Sequence, residues 1–167
     1  MGVSGSGKSE VIQYLMAVYR IPQFSIRSVL EEEIRKQKIP VGYFGSIEIR
    51  KQLEKELGYE YFPERIIQLT NEDVHHENAL VEGLELGNRS DYEIFRKYFG
   101  ERLHVIFIHL PIRNIFREFF SDVRQVARLD DGGPLVVSDH LVVNNGDVTK
   151  LMNTIDSIMF GYGLSKP

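Results

Sequence analysis

The sequence of 167 residues contains no cysteine. Disulfide bonds, thiolate metal ligands and a cysteine nucleophile are therefore excluded, and a location in the reducing cytoplasm fits. A surplus of basic residues is also missing, because 20 Lys and Arg stand against 24 Asp and Glu, a formal net charge of −4. Nucleic-acid-binding proteins usually present a basic surface, so this balance argues against a nucleic acid as partner.

Long apolar runs, internal repeats and low-complexity tracts are absent as well. The longest apolar run, residues 105–110, includes a histidine and has the length of a strand. We therefore expect neither a signal peptide nor a membrane partner. The hydrophobic content of 43% and the charged content of 26% are typical of globular proteins. The length predicts a single domain, residues 1–167.

The start of the chain carries its most specific motif. Residues 2–9, Gly-Val-Ser-Gly-Ser-Gly-Lys-Ser, fit the phosphate-loop pattern G-x-x-x-x-G-K-[ST]. Glycines let such a loop turn tightly around an anion, which the N-terminus of the next helix also attracts. Lys8 is expected to reach the β- and γ-phosphates, and the Ser9 hydroxyl to bind Mg²⁺. We predict a site for ATP and Mg²⁺ formed by Gly5, Ser6, Gly7, Lys8, Ser9 and Glu10.

The strand that normally precedes a phosphate loop is missing, because only Met1 stands before Gly2. A helix after the loop is predicted by the apolar spacing of Val11, Ile12, Leu15, Met16 and Tyr19. Without a central strand, the ladder groups of its neighbours would be unpaired. We therefore expect Met1 to end a truncated first strand whose other residues lie upstream. The alternative is that the protein does without this strand.

Strand-like and helix-like segments alternate along the rest of the chain. Strands are predicted at residues 23–26, 79–81, 103–110 and 141–143, and helices at 27–36, 46–57, 63–70, 90–100, after Pro111 and after Asp147. This alternation predicts an α/β fold in which helices cover both faces of a parallel sheet. The charged residues 31–36 are interpreted as a solvated helix face. Residues 90–93 have the pattern of a capping box.

A carboxylate, Glu82, directly follows the short strand predicted at residues 79–81. In open α/β sheets, ligands bind at the carboxyl ends of the strands, so Glu82 is expected to orient a water bound to Mg²⁺ or to contact the substrate. Metal binding by His75 and His76 is not expected, because adjacent residues of an extended chain point in opposite directions and no third ligand is suitably spaced.

Four arginines follow the strand predicted at residues 103–110, namely Arg113, Arg117, Arg124 and Arg128. A guanidinium group binds phosphate through two hydrogen bonds and can neutralise a phosphoryl group in transfer. We assign Arg124 and Arg128 to catalysis and Arg113 and Arg117 to substrate binding. The alternative is that they form surface salt bridges with Glu118, Asp122 and Asp130.

Taken in order, these motifs resemble the nucleoside monophosphate kinase group of P-loop proteins, which includes adenylate kinases and dephospho-coenzyme A kinases. Archaeal nucleotide kinase-like proteins are the most similar members. The resemblance covers nearly the whole chain. After residues 2–9 it rests on weaker segments at 52–58, 64–67, 81–83, 93–97 and 139–146. It implies a three-layer α/β/α fold with a helical substrate-binding insertion, about residues 38–72, and a short lid, about residues 117–134.

The resemblance also implies roles for individual residues. Asn144, Asn145 and Gly146 would lie beside the adenine base. Glu82 would be the acidic residue of an Asp-Gly-x-Arg pattern, and Arg89 its arginine, displaced by an insert at residues 85–88.

Departures from the group occur where the acceptor phosphate is usually held. In place of a Gly-Asp pair followed by Arg, this chain has Arg27, Ser28 and Glu31. Ser25 and Arg27 are the candidates to replace them. The lid segment also lacks the usual Gly-Arg pairing.

The first hypothesis is an ATP- and Mg²⁺-dependent phosphotransferase that acts on a small nucleotide-like acceptor. The alternative is a nucleotide-binding regulatory or interaction protein with residual ATPase activity, and the weakest reading is a fold that binds nothing. The sequence leaves the acceptor and the oligomeric state open.

Overall fold

Helices and parallel strands alternate along the chain, which confirms the predicted α/β class. The computed structural model describes residues 1–2, 5–38, 46–83, 89–111 and 138–167, without the side chains of residues 46, 47, 89 and 90. The helices are α1 (Lys8–Tyr19), α2 (Ile26–Lys36), α3 (Ser46–Leu57), α4 (Tyr61–Glu72), α5 (Arg89–Phe99) and α6 (Val148–Gly161). The strands are β1 (Gln23–Ser25), β2 (Leu80–Glu82), β3 (Ile106–His109) and β4 (His140–Val143).

The strands pair in parallel, β1 with β2 and β3 with β4. A further parallel bridge joins Gly2 to Ile108 of β3, and the Ile108 N–H donates to the carbonyl of Met1 at 2.7 Å. The backbone of residues 1–2 therefore runs alongside β3, in the place predicted for the end of the strand before the phosphate loop.

Two hydrophobic clusters form the core. The first joins α2, α3, α4 and α5 through Ile26, Val29, Leu30, Ile49, Leu53, Phe62, Ile66, Ile67 and Phe95. The second joins α1, β3, β4 and α6 through Val11, Leu15, Ile108, Val142, Leu151, Ile155 and Met159. Successive residues of β2 pack on different clusters, Leu80 on the second and Val81 on the first, because side chains alternate along a strand. Helices thus cover both faces of this strand, as predicted.

None of the helices in the described ranges is both long and apolar enough to cross a membrane.

The charged run of α2 is not uniformly solvated, which corrects the interpretation of residues 31–36. Glu33 is 7% exposed, and its carboxylate accepts hydrogen bonds from the Tyr61 hydroxyl at 2.6 Å and from Lys36 at 3.1 Å. The hydrogen bond from Tyr61 holds the pKa of Glu33 below its usual value, against the opposing effect of burial. Glu33 therefore belongs to the interface between α2 and α4.

A buried ion pair joins α3 to α5. The Arg50 guanidinium donates to Asp91 Oδ2 at 2.9 Å and to Glu54 Oε1 at 2.6 Å, and Asp91 is fully buried. Helix α5 begins at Arg89, one residue before the capping box predicted at residues 90–93, and Asp91 is an intervening residue of that pattern. Helix α4 also starts before the predicted residue 63, at Tyr61, and ends later, at Glu72. The helices of the predicted insertion thus share a core with α2 and α5.

The carboxylate of Asp156 connects α6 to α1 and to the tail that follows α6. It accepts hydrogen bonds from the hydroxyls of Tyr14 and Tyr19, both at 2.8 Å, and from Lys166 at 2.7 Å. Burial opposes ionisation of Asp156, but the hydrogen bonds from Lys166, Tyr14 and Tyr19 outweigh it and hold its pKa below the usual value.

Replacing Asp156 by Asn should lower the free energy of unfolding by about 1–2 kcal/mol near neutral pH, because hydrogen bonds to a charged acceptor are stronger than those to an amide. A lowered pKa stabilises the fold above the unfolded value of 3.8 and loses this effect as the pH falls through the folded value. The difference between Asp156→Asn and the parent chain should therefore shrink in acid.

Urea unfolding between neutral pH and about pH 3 measures this difference. Glu77→Gln, at an exposed carboxylate, is the control. A stability difference that stays the same at every pH would contradict the role of the Asp156 charge.

Candidate active site

The phosphate loop leads directly into α1. Gly7 is the N-cap residue of this helix, with a left-handed φ of 95°, and no side chain caps the first turn. The first hydrogen bond of the helix runs from the Val11 N–H to the Gly7 carbonyl at 3.1 Å. The N–H groups of the first turn therefore make this end of α1 attractive to an anion.

Position 7 requires a glycine for two reasons, its left-handed backbone conformation and the lack of space for a Cβ atom. A Cβ atom at this position would lie 2.7 Å from Asn144 Nδ2 and 3.2 Å from Leu151 Cδ2. Gly5 also has a positive φ, 72°, but apart from its chain neighbours a Cβ atom there would meet no described residue within 4 Å. Among the described residues, the loop is thus packed against the protein at Gly7.

Asn144 connects the loop to the turn between β4 and α6. Its Nδ2 donates to the Ser6 carbonyl at 3.0 Å, and its Oδ1 accepts from the Gly146 N–H at 3.0 Å. The turn predicted to lie beside adenine, residues 144–146, therefore contacts the phosphate loop through Asn144. Contact of Asn144, Asn145 or Gly146 with a base stays a prediction.

The side chain of Ser6 lies beneath the loop and is fully buried. Its hydroxyl is the one buried side-chain polar atom without a hydrogen-bond partner among the described residues. Buried hydroxyl groups are normally hydrogen-bonded, so this atom is suited to a bound water or ligand at the loop.

Lys8 and Glu82 act on each other electrostatically, although they come from distant parts of the chain. Burial lowers the pKa of Lys8, and the negative charges of Glu82 and Glu10 oppose this effect. Lys8 is partly buried at the start of α1, and Glu82 is the last residue of β2. Ser9 and Glu10, the other residues of the first turn, are exposed. The Glu82 charge therefore acts on the first turn of α1, and a role of Glu82 at the loop stays a prediction.

The sequence gave no reason to select Gln23, yet its side chain binds Glu82. Gln23 Nε2 donates to Glu82 Oε2 at 2.6 Å across β1 and β2. The following residue, Gly83, has a φ of 95°, and a Cβ atom there would lie 3.2 Å from Ile26 Cβ. The signal by which Gln23 could have been found is that it is a polar residue on a short, half-buried strand.

The residues expected to replace the missing acceptor site are engaged within α2. Ser25 Oγ caps this helix by accepting from the Ser28 N–H at 3.0 Å, and it lies 2.6 Å from Ser28 Oγ. Arg27 Nε donates to Glu31 Oε1 at 3.1 Å on the exposed side of the helix. Substrate binding by Ser25 or Arg27 stays a prediction.

The remaining predicted residues cannot be placed. Arg113, Arg117, Arg124 and Arg128 lie outside the described residues, as do the insert at 85–88 and the lid at 117–134. The backbone of Arg89 opens α5, and its side chain is also outside the description.

At the histidine pair, His76 Nδ1 lies 3.0 Å from Asp73 Oδ2. In the described part of the chain, no three His, Asp or Glu side chains form a group that could hold a metal ion.

Comparison with known proteins agrees with this architecture. The site defines a P-loop nucleotide-binding domain. The model of the AAA_17 family, described as an AAA domain, matches residues 1–134, and the chain belongs to this family.

The crystal structure of TT1252 from Thermus thermophilus is similar, with a TM-score of 0.56, 18% identity, and coverage of 96% of this chain and 94% of that one. At this identity the likeness shows the fold alone. No curated protein matches the chain. The P-loop fold is thus confirmed, whereas the narrower kinase group is not established.

Replacing Gly7 by Ala should destabilise the protein more than replacing Gly58 by Ala. Both glycines have a φ of 95°, but a Cβ atom at Gly58 would meet nothing within 4 Å. Backbone strain alone should cost about 1–2 kcal/mol at either position, and the close approach to Asn144 adds to it only at Gly7.

Urea unfolding measures both losses. In the double variant Gly7→Ala/Asn144→Ala, part of the lost stability should be recovered. The substitution of Asn144 removes Nδ2, which is the atom nearest to the new Cβ. Equal losses for Gly7→Ala and Gly58→Ala would show that the loop is not packed tightly at Gly7.

Proposed function

We propose that this protein is an ATP- and Mg²⁺-dependent phosphotransferase that transfers the γ-phosphoryl group to a small nucleotide-like acceptor. The observation that carries the proposal is the geometry of the phosphate loop, in which Gly7 opens α1 without a side-chain cap and Lys8 follows it, while the Glu82 charge opposes the effect of burial on the pKa of Lys8. A cation at the donor phosphates and a carboxylate at a strand end are the two charges that a phosphoryl-transfer site needs. Membership of the AAA domain family supports a nucleotide at this loop.

The residues at the loop fit ATP and Mg²⁺. The first turn of α1 lacks a side-chain cap, and among the described residues none crowds Gly5 and none bonds the buried hydroxyl of Ser6. Lys8 and the backbone of residues 5–10 would hold the phosphates, and Ser9 would hold Mg²⁺. The metal ion would neutralise charge that develops on the phosphate oxygens.

Glu82 would act on the acceptor side. If the acceptor is a hydroxyl group, its oxygen forms a bond to the γ-phosphorus, the bond from phosphorus to the bridging oxygen of ADP breaks, and the proton passes to Glu82. For an acceptor that is already a phosphate, Glu82 would orient a water bound to the metal ion. Arg124 and Arg128 would stabilise the phosphoryl group, and Arg89, Arg113 and Arg117 would bind the acceptor.

The adenylate kinase-like or dephospho-coenzyme A kinase-like character of the protein is the narrower part of the proposal. It is supported by the order of the motifs and by the turn at residues 144–146, whose Asn144 contacts the loop. It also predicts small-molecule partners rather than nucleic acids or membranes.

A second function is favoured by the contacts of α2. Arg27 is paired with Glu31, and Ser28 with Ser25, so these side chains satisfy each other within the helix. This arrangement supports a nucleotide-binding regulatory or interaction protein with residual ATPase activity and no acceptor.

A coupled assay of ADP formation with nucleoside monophosphates and dephospho-coenzyme A tests the two functions. The phosphotransferase proposal expects ADP formation that an acceptor stimulates, together with a phosphorylated product detected by mass spectrometry. Tight ATP binding without stimulation by any acceptor would contradict it and favour the regulatory function.

The variant Lys8→Met tests the loop that both functions share. It should weaken ATP binding by about 10- to 100-fold, because hydrogen bonds from a charged donor to phosphate are lost. Lys51→Met, at an exposed lysine of α3, is the matched control and should bind ATP as the parent chain does. Unchanged affinity in Lys8→Met, measured by isothermal titration calorimetry, would refute a nucleotide site at this loop.

A further inference from the structure

One hydrogen bond fixes the carboxylate of Glu82. The Gln23 amide nitrogen lies 2.6 Å from Glu82 Oε2, and both side chains are half-buried. An ionised carboxylate only accepts hydrogen bonds, so the Gln23 side chain must present its NH₂ group to Glu82. Among the described residues, the hydrogen bond to this carboxylate comes from Gln23.

The strand register explains how the two side chains meet. Gln23 lies opposite Leu80, and Ser25 lies opposite Glu82, so all four residues share one face of the β1–β2 pair. The hydrogen bond therefore runs diagonally, from a residue near the start of β1 to the end of β2. The directly opposite residue, Ser25, uses its hydroxyl to cap α2.

We propose that Gln23 is a positioning residue for Glu82, which holds one carboxylate oxygen in place at the phosphate loop and leaves the other for the acceptor or for a water bound to the metal ion. The catalytic consequence rests on the proposed function. The position of the Glu82 carboxylate in the free protein does not depend on it.

The position of the Glu82 carboxylate can be observed without a substrate. In the described part of the chain, the hydrogen bond from Gln23 is the contact that holds Oε2. Without this donor, the carboxylate should leave the place that it occupies at the end of β2.

Crystal structures of the full chain without nucleotide test the proposal. They compare the parent chain with Gln23→Met, which keeps the shape of the side chain and removes the donor. The measured quantity is the position of the Glu82 carboxylate relative to the backbone of β2. Gln68→Met, at an exposed glutamine of α4, is the matched control.

In Gln23→Met the Glu82 carboxylate should shift or adopt several conformations, whereas in Gln68→Met it should stay in place. An unchanged carboxylate in Gln23→Met overturns the proposal. If Gln23→Met does not fold by thermal melting, Gln23→Asn, whose amide is one methylene too short to reach, takes its place with the same expectations.

The rate of turnover provides an independent test of the positioning role of Gln23. With an acceptor found in the coupled assay, Gln23→Met should lower kcat about 10- to 100-fold with little change in KM for ATP, because the catalytic carboxylate is misplaced while the donor site is intact. A loss confined to KM for ATP would overturn the positioning role. Absence of turnover in the parent chain would refute the proposed function, and the crystal structures would then decide the role of Gln23 alone.

Discussion

The geometry of the phosphate loop depends on the two hydrogen bonds of one side-chain amide. Asn144 binds the carbonyl of Ser6 with its nitrogen and the N–H of Gly146 with its oxygen. This connection is possible only because Gly7 has no Cβ atom to occupy the same space. The loop is thus held by a residue that follows the last strand, and its shape is a tertiary property rather than a property of its own sequence. Both ends of the chain contribute to a single site.

Much of the fold follows from local patterns. The bounds of α1 and α3 agree with apolar spacing and with Gly58 as a stop, because a helix with one buried face shows that face in its sequence. Glu33 was misjudged and Asp91 was not selected, because a charge pattern shows that residues are polar, but not which of them meets a neighbouring helix. Their partners, Tyr61 and Arg50, lie far away in the sequence.

The residues of the candidate site also divide into those that local sequence patterns predict and those that depend on contacts between distant segments. Lys8 and Ser9 follow from a motif whose chemistry is local, and Glu82 follows from a general rule about strand ends. Gln23 could not be found in this way, because its role depends on the register of β1 against β2, and two short strands do not encode their register. Asn144 was selected for an expected contact with a base, whereas its contacts with Ser6 and Gly146 arise from the packing of the loop.

The buried pair of Arg50 and Asp91 restricts how α3 and α5 can slide along each other. Hydrophobic side chains can exchange one neighbour for another during a small displacement, since contact between apolar groups is not directional. A buried charge that leaves its partner instead remains unpaired in an apolar environment, which costs about 3–5 kcal/mol. Intermediate positions of the two helices are therefore penalised. Any displacement of α3 should therefore carry α5 along.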